Sequence, residues 1–247
     1  MKGLYVTILA GGVGRRMNSE VPKVLHLVKG ESMIVRLIRQ VQLLNPDKII
    51  VVVGKFYVMI REEIEKYIEY PITYAIQEKP LGTGDAVKST LHLFNTEEEI
   101  TNIILNGDVP MLQFETIQQI YNEYLKRGSK LQITTIELEN PTGNGRIMIN
   151  SDGLFEEIKE EKDCTEEQKM IKIVNCGIYI CDSSILLKYI PLIESNNAQN
   201  EFYLTDLVKI YIDKSHQPIH QYRLEKEKEK EIYNVNTKEQ LKFLQAS

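Results

Sequence analysis

Short, largely apolar stretches alternate with helical stripes through the first half of this chain, and that alternation leaves few folds open. Residues 4–9 and 49–53 are nearly continuous apolar runs, and 72–76 and 103–105 look similar. Runs of this kind suit strands buried on both faces of a sheet. Between them, residues 33–44 place Ile34, Leu37, Ile38, Val41 and Leu44 on one helical face, with Ser32 as the expected N-cap. Residues 114–127 carry a second stripe, Ile117, Ile120, Tyr121, Tyr124 and Leu125, stopped by Gly128. Strand–helix alternation predicts right-handed crossovers and an α/β fold with a mainly parallel sheet. From about Leu131 the pattern changes: 131–138, 146–150, 154–159 and 172–181 read as strands, with a hairpin signal at Asn150-Ser151-Asp152-Gly153. No repeat or Pro-rich linker divides the chain. One domain is expected, with a parallel half over about 1–130 and a mixed half over about 131–247, closed by a helix from Thr237.

A chain of 247 residues can bury a sizeable core. Its formal net charge of -5 disfavours a dominant basic surface for nucleic acid or anionic lipid, although local basic clusters remain available for phosphates. The longest run without a charged residue is Gly3 to Gly14, twelve residues, against the roughly 18–20 a membrane span needs. Lys2 before an apolar run resembles a signal peptide, but the run enters Gly11-Gly12 without a small-x-small cleavage pattern, so a core strand explains it better. Cys164, Cys176 and Cys181 form no CxxC pair and are odd in number, which suits reduced thiols in a cytosol. The Glu-Lys stretch 225–231 reads as solvated.

The chemistry concentrates just after the predicted strands. Gly11-Gly12-Val13-Gly14-Arg15-Arg16-Met17 follows the first one, where glycines let backbone N–H groups approach phosphate oxygens and the arginines add charge. It is neither a P-loop, lacking Gly-Lys-Ser/Thr, nor the dinucleotide fingerprint, since Met17 replaces the third glycine. Pro22-Lys23 lies six residues beyond Met17, and so long a connection favours a functional loop over a mobile turn. Gln77 follows the strand at 72–76, and Leu81-Gly82-Thr83-Gly84 opens a helix expected at Asp85. An amide beside a helix start suits a base edge or an anion, or simply connects strand to helix with Thr83 as N-cap. Asp108, in Asn106-Gly107-Asp108-Val109-Pro110, is placed either to hold Mg²⁺ or to make a turn. Ligands of open parallel sheets bind outside the carboxyl ends of strands, so Gly11, Gln77 and Asp108 can face one crevice.

Later residues are individually weaker. Gly143-Asn144-Gly145-Arg146 reads as a ligand loop or a turn, and Glu160, in Glu160-Glu161-Lys162-Asp163, by composition as surface. Asn175 interrupts an apolar strand and needs a partner. Asn236 is either a metal ligand or the N-cap of the last helix, where Thr237 and Gln240 make a capping box. His216 and His220 are four apart, but the intervening Pro218 argues against a helical zinc pair. His26 and His92 have no partners identifiable from sequence. Nothing resembles a nucleophile–base–acid triad.

In this order the motifs resemble the bacterial N-acetylglucosamine-1-phosphate uridyltransferases, sugar nucleotidyltransferases that form the N-terminal half of a bifunctional protein. The resemblance rests on residues 9–17 and 19–26, then Leu81-Gly82-Thr83-Gly84, Gly107-Asp108-Val109-Pro110, Pro141-Thr142-Gly143-Asn144-Gly145-Arg146-Ile147, Glu161-Lys162-Asp163, Asn175-Cys176-Gly177-Ile178-Tyr179 and Asn196-Asn197-Ala198-Gln199. It implies a Rossmann-like three-layer fold, with a nucleotide-binding half and a mixed-sheet sugar-binding half. It also implies that Leu9, Ala10, Gly11 and Gly12 border the nucleotide, that Arg16 and Lys23 act on UTP phosphates, and that Gln77, Gly82 and Thr83 read uracil. Asp108 and Asn236 would hold Mg²⁺, and Gly145, Glu160 and Asn175 would contact the amino sugar. The implied reaction converts UTP and N-acetylglucosamine 1-phosphate to UDP-N-acetylglucosamine and pyrophosphate.

Several positions depart from that family. Arg15 replaces a usual Thr, Asp85 a His, Asn144 a Tyr, Asn200 the Gly after Asn-Ala-Gln, and Asn234 a further glycine. Because Asn144 and Asn200 lie in segments tied to the sugar, the resemblance specifies UTP more firmly than the sugar. The hexapeptide repeats of the bacterial acetyltransferase half are not expected here, so the trimer they build does not carry over. Two rival readings remain: a related pyrophosphorylase taking another sugar phosphate, dTTP or CTP, and a nucleotide-sugar-binding module without catalysis. Gln77 with Leu81-Gly82-Thr83-Gly84 favours uridine over the first, and Arg16, Lys23, Asp108 and Asn236 together weigh against the second.

Overall fold

The computed structural model of the protein describes residues 2–246, without the side chains of residues 15 and 246. The apolar runs of the first half become β1 (Gly3–Leu9), β4 (Lys48–Val53), β5 (Ile72–Ile76) and β6 (Ile100–Asn106). Two short strands, β2 (Leu27–Val28) and β3 (Glu31–Ser32), form a separate ribbon between β1 and β4. The helices of this half are α1 (Met33–Gln42), α2 (Tyr57–Tyr67), α3 (Thr83–Lys88) and α4 (Phe114–Arg127). The second half supplies β7 (Leu131–Glu137), β8 (Arg146–Ile149), β9 (Phe155–Lys159), β10 (Ile173–Asp182) and β11 (His220–Arg223). Its helices are α5 (Glu166–Lys169), α6 (Ser183–Tyr189), α7 (Asp206–Ser215) and α8 (Lys238–Ala246).

One sheet spans both halves, in the order β11-β7-β10-β6-β1-β4-β5, with β8 against β10 and β9 against β8. Strands β6, β1, β4 and β5 are mutually parallel, whereas β10 runs antiparallel to both β6 and β7. The mainly parallel α/β reading therefore holds, and the mixed half joins the parallel one edge to edge. Strand alternation sorts the core onto two faces. Val6, Ile8, Val51 and Ile103 face one side with Ile34, Leu37 and Ile38 of α1, Ile60 of α2 and Ile117 of α4. Ile50, Val52 and Ile104 face the other, with Val87, Leu186 and Leu207 of α3, α6 and α7. The result is a helix–sheet–helix sandwich whose strands are covered on both faces.

Some local expectations give way to tertiary context. The Ser32 hydroxyl accepts no capping hydrogen bond from α1, and its Oγ is buried without a partner. Ser32 is instead paired in β3, and the Met33 N–H at the helix start donates to the His26 carbonyl at 3.1 Å. That helix ends at Gln42, and Asn45 turns the chain with φ +50°. The helix expected at Asp85 starts two residues earlier, at Thr83, with Gly82 rather than Thr83 in the N-cap position. Neither α2 nor β11 is anticipated by the sequence pattern. Only Ile60 and Ile64 of α2 are buried, and the edge strand β11 is the half-buried polar stretch His-Gln-Tyr-Arg. The last helix does open with the anticipated capping box: Gln240 N–H donates to Thr237 Oγ1 at 3.3 Å and Thr237 N–H to Gln240 Oε1 at 3.1 Å. His216 ends α7 in the left-handed region while His220 enters β11, which separates that pair between two elements.

Gly128 closes α4 at φ +64° with open space around its Cα. Gly128→Ala is therefore expected to cost about 1–2 kcal/mol from the left-handed backbone alone. Thermal unfolding should show a midpoint lower by roughly 2–8 °C in a chain of this size.

Candidate active site

The parallel strands deliver their following residues to one edge. Gly11 comes after β1, Gly54 after β4, Gln77 after β5 and Asp108 after β6. At these exits the backbones approach so closely that a side chain would collide: a Cβ on Gly107 would lie 2.9 Å from the Leu9 carbonyl oxygen, and one on Gly54 3.1 Å from that of Gly11. Gly14 has φ +63°, and its Cβ would meet Lys23 Cβ at 2.8 Å. The glycine loop is thereby folded back against the residue that follows Pro22. Two short 3-10 turns, Arg15–Met17 and Lys23–Leu25, flank residues 18–22, which form neither helix nor strand, in keeping with the long connection expected between Met17 and Lys23.

Lys23 is the hub of a polar cluster. Its ammonium donates to Asp108 Oδ2 at 2.5 Å and to Asn236 Oδ1 at 3.1 Å, and Arg16 Nη2 donates to the same Asn236 oxygen at 3.0 Å. Asn236 returns to this edge because the Val235 N–H donates to the Asp108 carbonyl at 3.0 Å. Its side chain faces the cluster, and Thr237 supplies the helix cap instead. Asp108 is 6% exposed, and its second oxygen, Oδ1, is buried without a hydrogen-bond partner. A carboxylate oxygen and an amide oxygen reaching the same cation, with a further oxygen unclaimed, make a hard-donor set that suits Mg²⁺. Among the described residues, no group of three His, Cys, Asp or Glu side chains forms a metal site of another type.

Gln77 lies at the far side of the edge, almost buried beside a cleft of about 350 Å³ lined by Ile76, Glu78, Lys79, Leu81, Asp85 and Lys88. Its Nε2 donates to the Gly82 carbonyl at 3.0 Å and to Asp85 Oδ2 at 2.8 Å. Gly82 has φ +125°, and a Cβ there would collide with the Phe202 carbonyl oxygen. The 81–84 loop is stitched to the second half: Phe202 N–H donates to Leu81 O, Gly84 N–H to Phe202 O, and Leu204 N–H to Thr83 Oγ1. Thr83 is exposed, and its hydroxyl is already used as an acceptor inside the protein.

The second half brings the remaining candidates to the same edge. Because β10 runs against β6, the start of β10 meets the end of β6, and a Cβ on Gly177 (φ +71°) would lie within van der Waals overlap of the Asn106 amide. A bulge between Asn175 and Tyr179 re-aims the strand there. Asn175 finds the partners it needs: Nδ2 donates to the Tyr179 hydroxyl at 2.7 Å, and Oδ1 accepts from Gly177 N–H at 3.1 Å. Its own N–H donates to the Gly145 carbonyl at 2.9 Å. Gly145 sits 3.7 Å, measured from an added Cβ, from both Glu160 carboxylate oxygens.

One correction and one unforeseen contact follow on this side. Glu160 is partly buried rather than a surface residue; it accepts from Thr205 Oγ1 at 3.1 Å. Burial pushes its carboxyl pKa up, opposed by the Thr205 hydroxyl and reinforced by Asp206, Asp163 and Glu201. Arg146, which closes the 143–146 segment read as a ligand loop or a turn and opens the expected strand β8, is 1% exposed. It donates to the Lys169 and Asn144 carbonyls and to Glu161 Oε2 at 3.0 Å, pinning the 143–146 turn to the 160–163 turn. The signal was a charged residue heading a predicted strand, but burial was not legible from it. Asn200, standing where the family has glycine, has φ +53°, a conformation asparagine tolerates better than most residues. Asn144 donates to the Pro141 and Thr142 carbonyls and holds its own turn. Arg15's side chain lies outside the described residues, and nothing in the structure explains Asn234.

A nucleotidyl transferase family model matches residues 5–227, nearly the whole span that builds this edge. The chain belongs to the nucleotidyl transferase family. It is 58% identical over 244 residues to the "Probable UDP-N-acetylglucosamine pyrophosphorylase" of Acanthamoeba polyphaga mimivirus, covering 98% of this chain and 95% of that protein. It is 40% identical over 213 residues to the bifunctional protein GlmU of Thermoanaerobacter pseudethanolicus, spanning 86% of this chain but 45% of that protein. Among solved structures, HddC from Yersinia pseudotuberculosis superposes with a TM-score of 0.70 at 20% identity, covering 98% of each chain, which is a likeness of fold. This nucleotidyl transferase keeps the expected mainly parallel sheet and carries Arg16, Lys23, Asp108 and Asn236 in one cluster.

Arg146→Met should leave two carbonyls and Glu161 without their donor, at an expected cost of about 2–4 kcal/mol. The unfolding midpoint should fall by roughly 4–16 °C. A shift under about 2 °C in calorimetry would show that the clamp contributes little.

Proposed function

We propose that this chain makes UDP-N-acetylglucosamine and pyrophosphate from UTP and N-acetylglucosamine 1-phosphate. The observation that carries the reading is the meeting of three groups at one sheet edge: the Arg16–Lys23–Asp108–Asn236 cluster between the Gln77 amide on one side and Gly145, Glu160 and Asn175 on the other. The name of the mimivirus relative, at 58% identity, supports this substrate pair.

An oxygen of the sugar phosphate attacks the α-phosphorus of UTP. The bond from that phosphorus to the α,β-bridging oxygen breaks, and pyrophosphate leaves with the electron pair. The nucleophile is already an anion, so no general base is needed, in keeping with the missing triad. The obstacle is repulsion between two polyanions. Arg16 and Lys23 offset it at the phosphates, and Gly11, Gly12 and the neighbouring Leu9 and Ala10 let the triphosphate approach the backbone. Gln77, Gly82 and Thr83 border the base, while Gly145 leaves room for a sugar beside Glu160 and Asn175. Holding both reactants at one edge supplies the in-line orientation.

Asp108 and Asn236 would hold Mg²⁺, which when bound neutralises charge on the phosphates. Lys23 now lies between these two oxygens and is within reach of the same region. The three cysteines are buried and unpaired, which suits a reducing cytosol. No helix among the described residues is long and apolar enough to cross a membrane.

The test is pyrophosphate release with Mg²⁺, UTP and a panel of N-acetylglucosamine, glucose, galactose and N-acetylgalactosamine 1-phosphates. The first is expected to be used best. Lys23→Ala and Asp108→Ala are each expected to lower kcat/KM by about 10²–10⁴ while the circular-dichroism spectrum stays native. Near-normal turnover in either variant would remove that residue from the machinery. A folded protein that bound UTP and released no pyrophosphate with any sugar phosphate would instead be a binding module.

A further inference from the structure

We infer that Asp85 is a positioning residue that selects the pyrimidine by locking the side-chain amide of Gln77 with its oxygen toward the base. The inference rests on the proposed nucleotide site and adds how that site would choose among nucleotides. Gln77 Nε2 donates one proton to the Gly82 carbonyl at 3.0 Å and the other to Asp85 Oδ2 at 2.8 Å. Both acceptors lie on the same side of the amide. A flipped amide would aim its oxygen at a carbonyl and a carboxylate, three acceptors with no proton among them, so hydrogen bonding permits one orientation. Oε1 then accepts no hydrogen bond among the described residues, is not one of their sealed unpartnered atoms, and lies on the side of Gly11, away from Asp85. Gly11 keeps it uncovered, since a Cβ there would lie 2.7 Å from that oxygen.

The consequence follows from the edges of the bases. Uracil and thymine present an N3–H donor, which an amide oxygen accepts. Cytosine presents N3 as an acceptor, and two lone pairs facing each other in a half-buried site leave both unpaired. An amide free to turn would serve either base by presenting its oxygen or its NH₂. Asp85, lying on α3 eight residues after Gln77, removes that freedom. A Gln77 side chain anchored only by Gly82 would retain one hydrogen bond and could rotate at the cost of that bond alone.

Two measurements test this. The first compares kcat/KM for UTP, dTTP and CTP in the unmodified protein and in Asp85→Leu. The unmodified protein is expected to prefer both imide bases to CTP by at least about 10³, because a buried acceptor rejects a base without the matching donor. In Asp85→Leu the UTP-to-CTP ratio should fall at least about tenfold, a change in ratio that general loss of structure would not produce. An unchanged ratio in an active variant, or equal use of CTP by the unmodified protein, would overturn the assignment. The second measurement needs neither turnover nor the variant: hydrogen exchange of the Gln77 side-chain NH₂ by NMR, its resonances identified by their loss in Gln77→Leu. Protection of both protons is expected, and exchange of either at the rate of free glutamine would overturn the lock. Absent pyrophosphate release with protected protons and selective UTP binding would count against the proposed reaction and leave the role of Asp85 standing.

Discussion

The antiparallel pairing of β10 with β6 is the constraint on which the rest of the site depends. Four parallel strands would by themselves bring Gly11, Gly54, Gln77 and Asp108 to one edge. A second half attached with any other strand direction would send Asn175 to the opposite end of the sheet. Because β10 opposes β6, its first residues lie beside the last residues of β6, and Gly177 lets the two backbones meet at Asn106. The pairing of β10 with β8, and of β8 with β9, then carries Gly145 and Glu160 to the same place.

Around that edge the site is held by polar contacts between segments far apart in sequence. Lys23 joins the loop after β1 to Asp108 after β6 and to Asn236 near the last helix. Phe202 joins the loop at Gly82 to the second half through two backbone hydrogen bonds, and Arg146 fastens two turns that flank Glu160. A network in which every segment closes on another gives preorganised groups, and preorganisation is what a reaction between two anions needs most. The unclaimed Asp108 oxygen and the open Gln77 oxygen are acceptors that this network leaves free.

How much of this was legible varies by element. The four parallel strands and the stripes of α1 and α4 were readable because burial on two faces, or on one helical face, imposes a pattern on many residues at once. The helix α2 buries two of its eleven residues firmly, so its pattern was too faint to see. Strand β11 is at the sheet edge, where half-burial tolerates polar side chains and erases alternation. Ser32 looked like a cap because its type and position fit one, but a short ribbon claimed it, and the His26 carbonyl served the helix instead. Glu160 was read as surface because charge alone suggests exposure, and the burial of Arg146 was not foreseen, since only the folding of two turns onto each other supplies the partners that make burial bearable.

The amino-acid sequence by itself determined the parallel sheet, the glycine exits from β1 and β6, and the kinds of side chain available to meet phosphates, since these are set by local burial patterns and by steric limits on the backbone. It also determined the capping box that opens α8, a contact made within four residues. The tertiary structure alone decided that Asn236 faces Lys23 and Arg16 rather than capping a helix, that the Gln77 amide donates to Gly82 and Asp85, and that Arg146 lies inside. Each of those outcomes depends on where a partner distant in the chain comes to rest, and a hydrogen bond between residues 23 and 236 leaves no periodicity in the sequence from which it could be read.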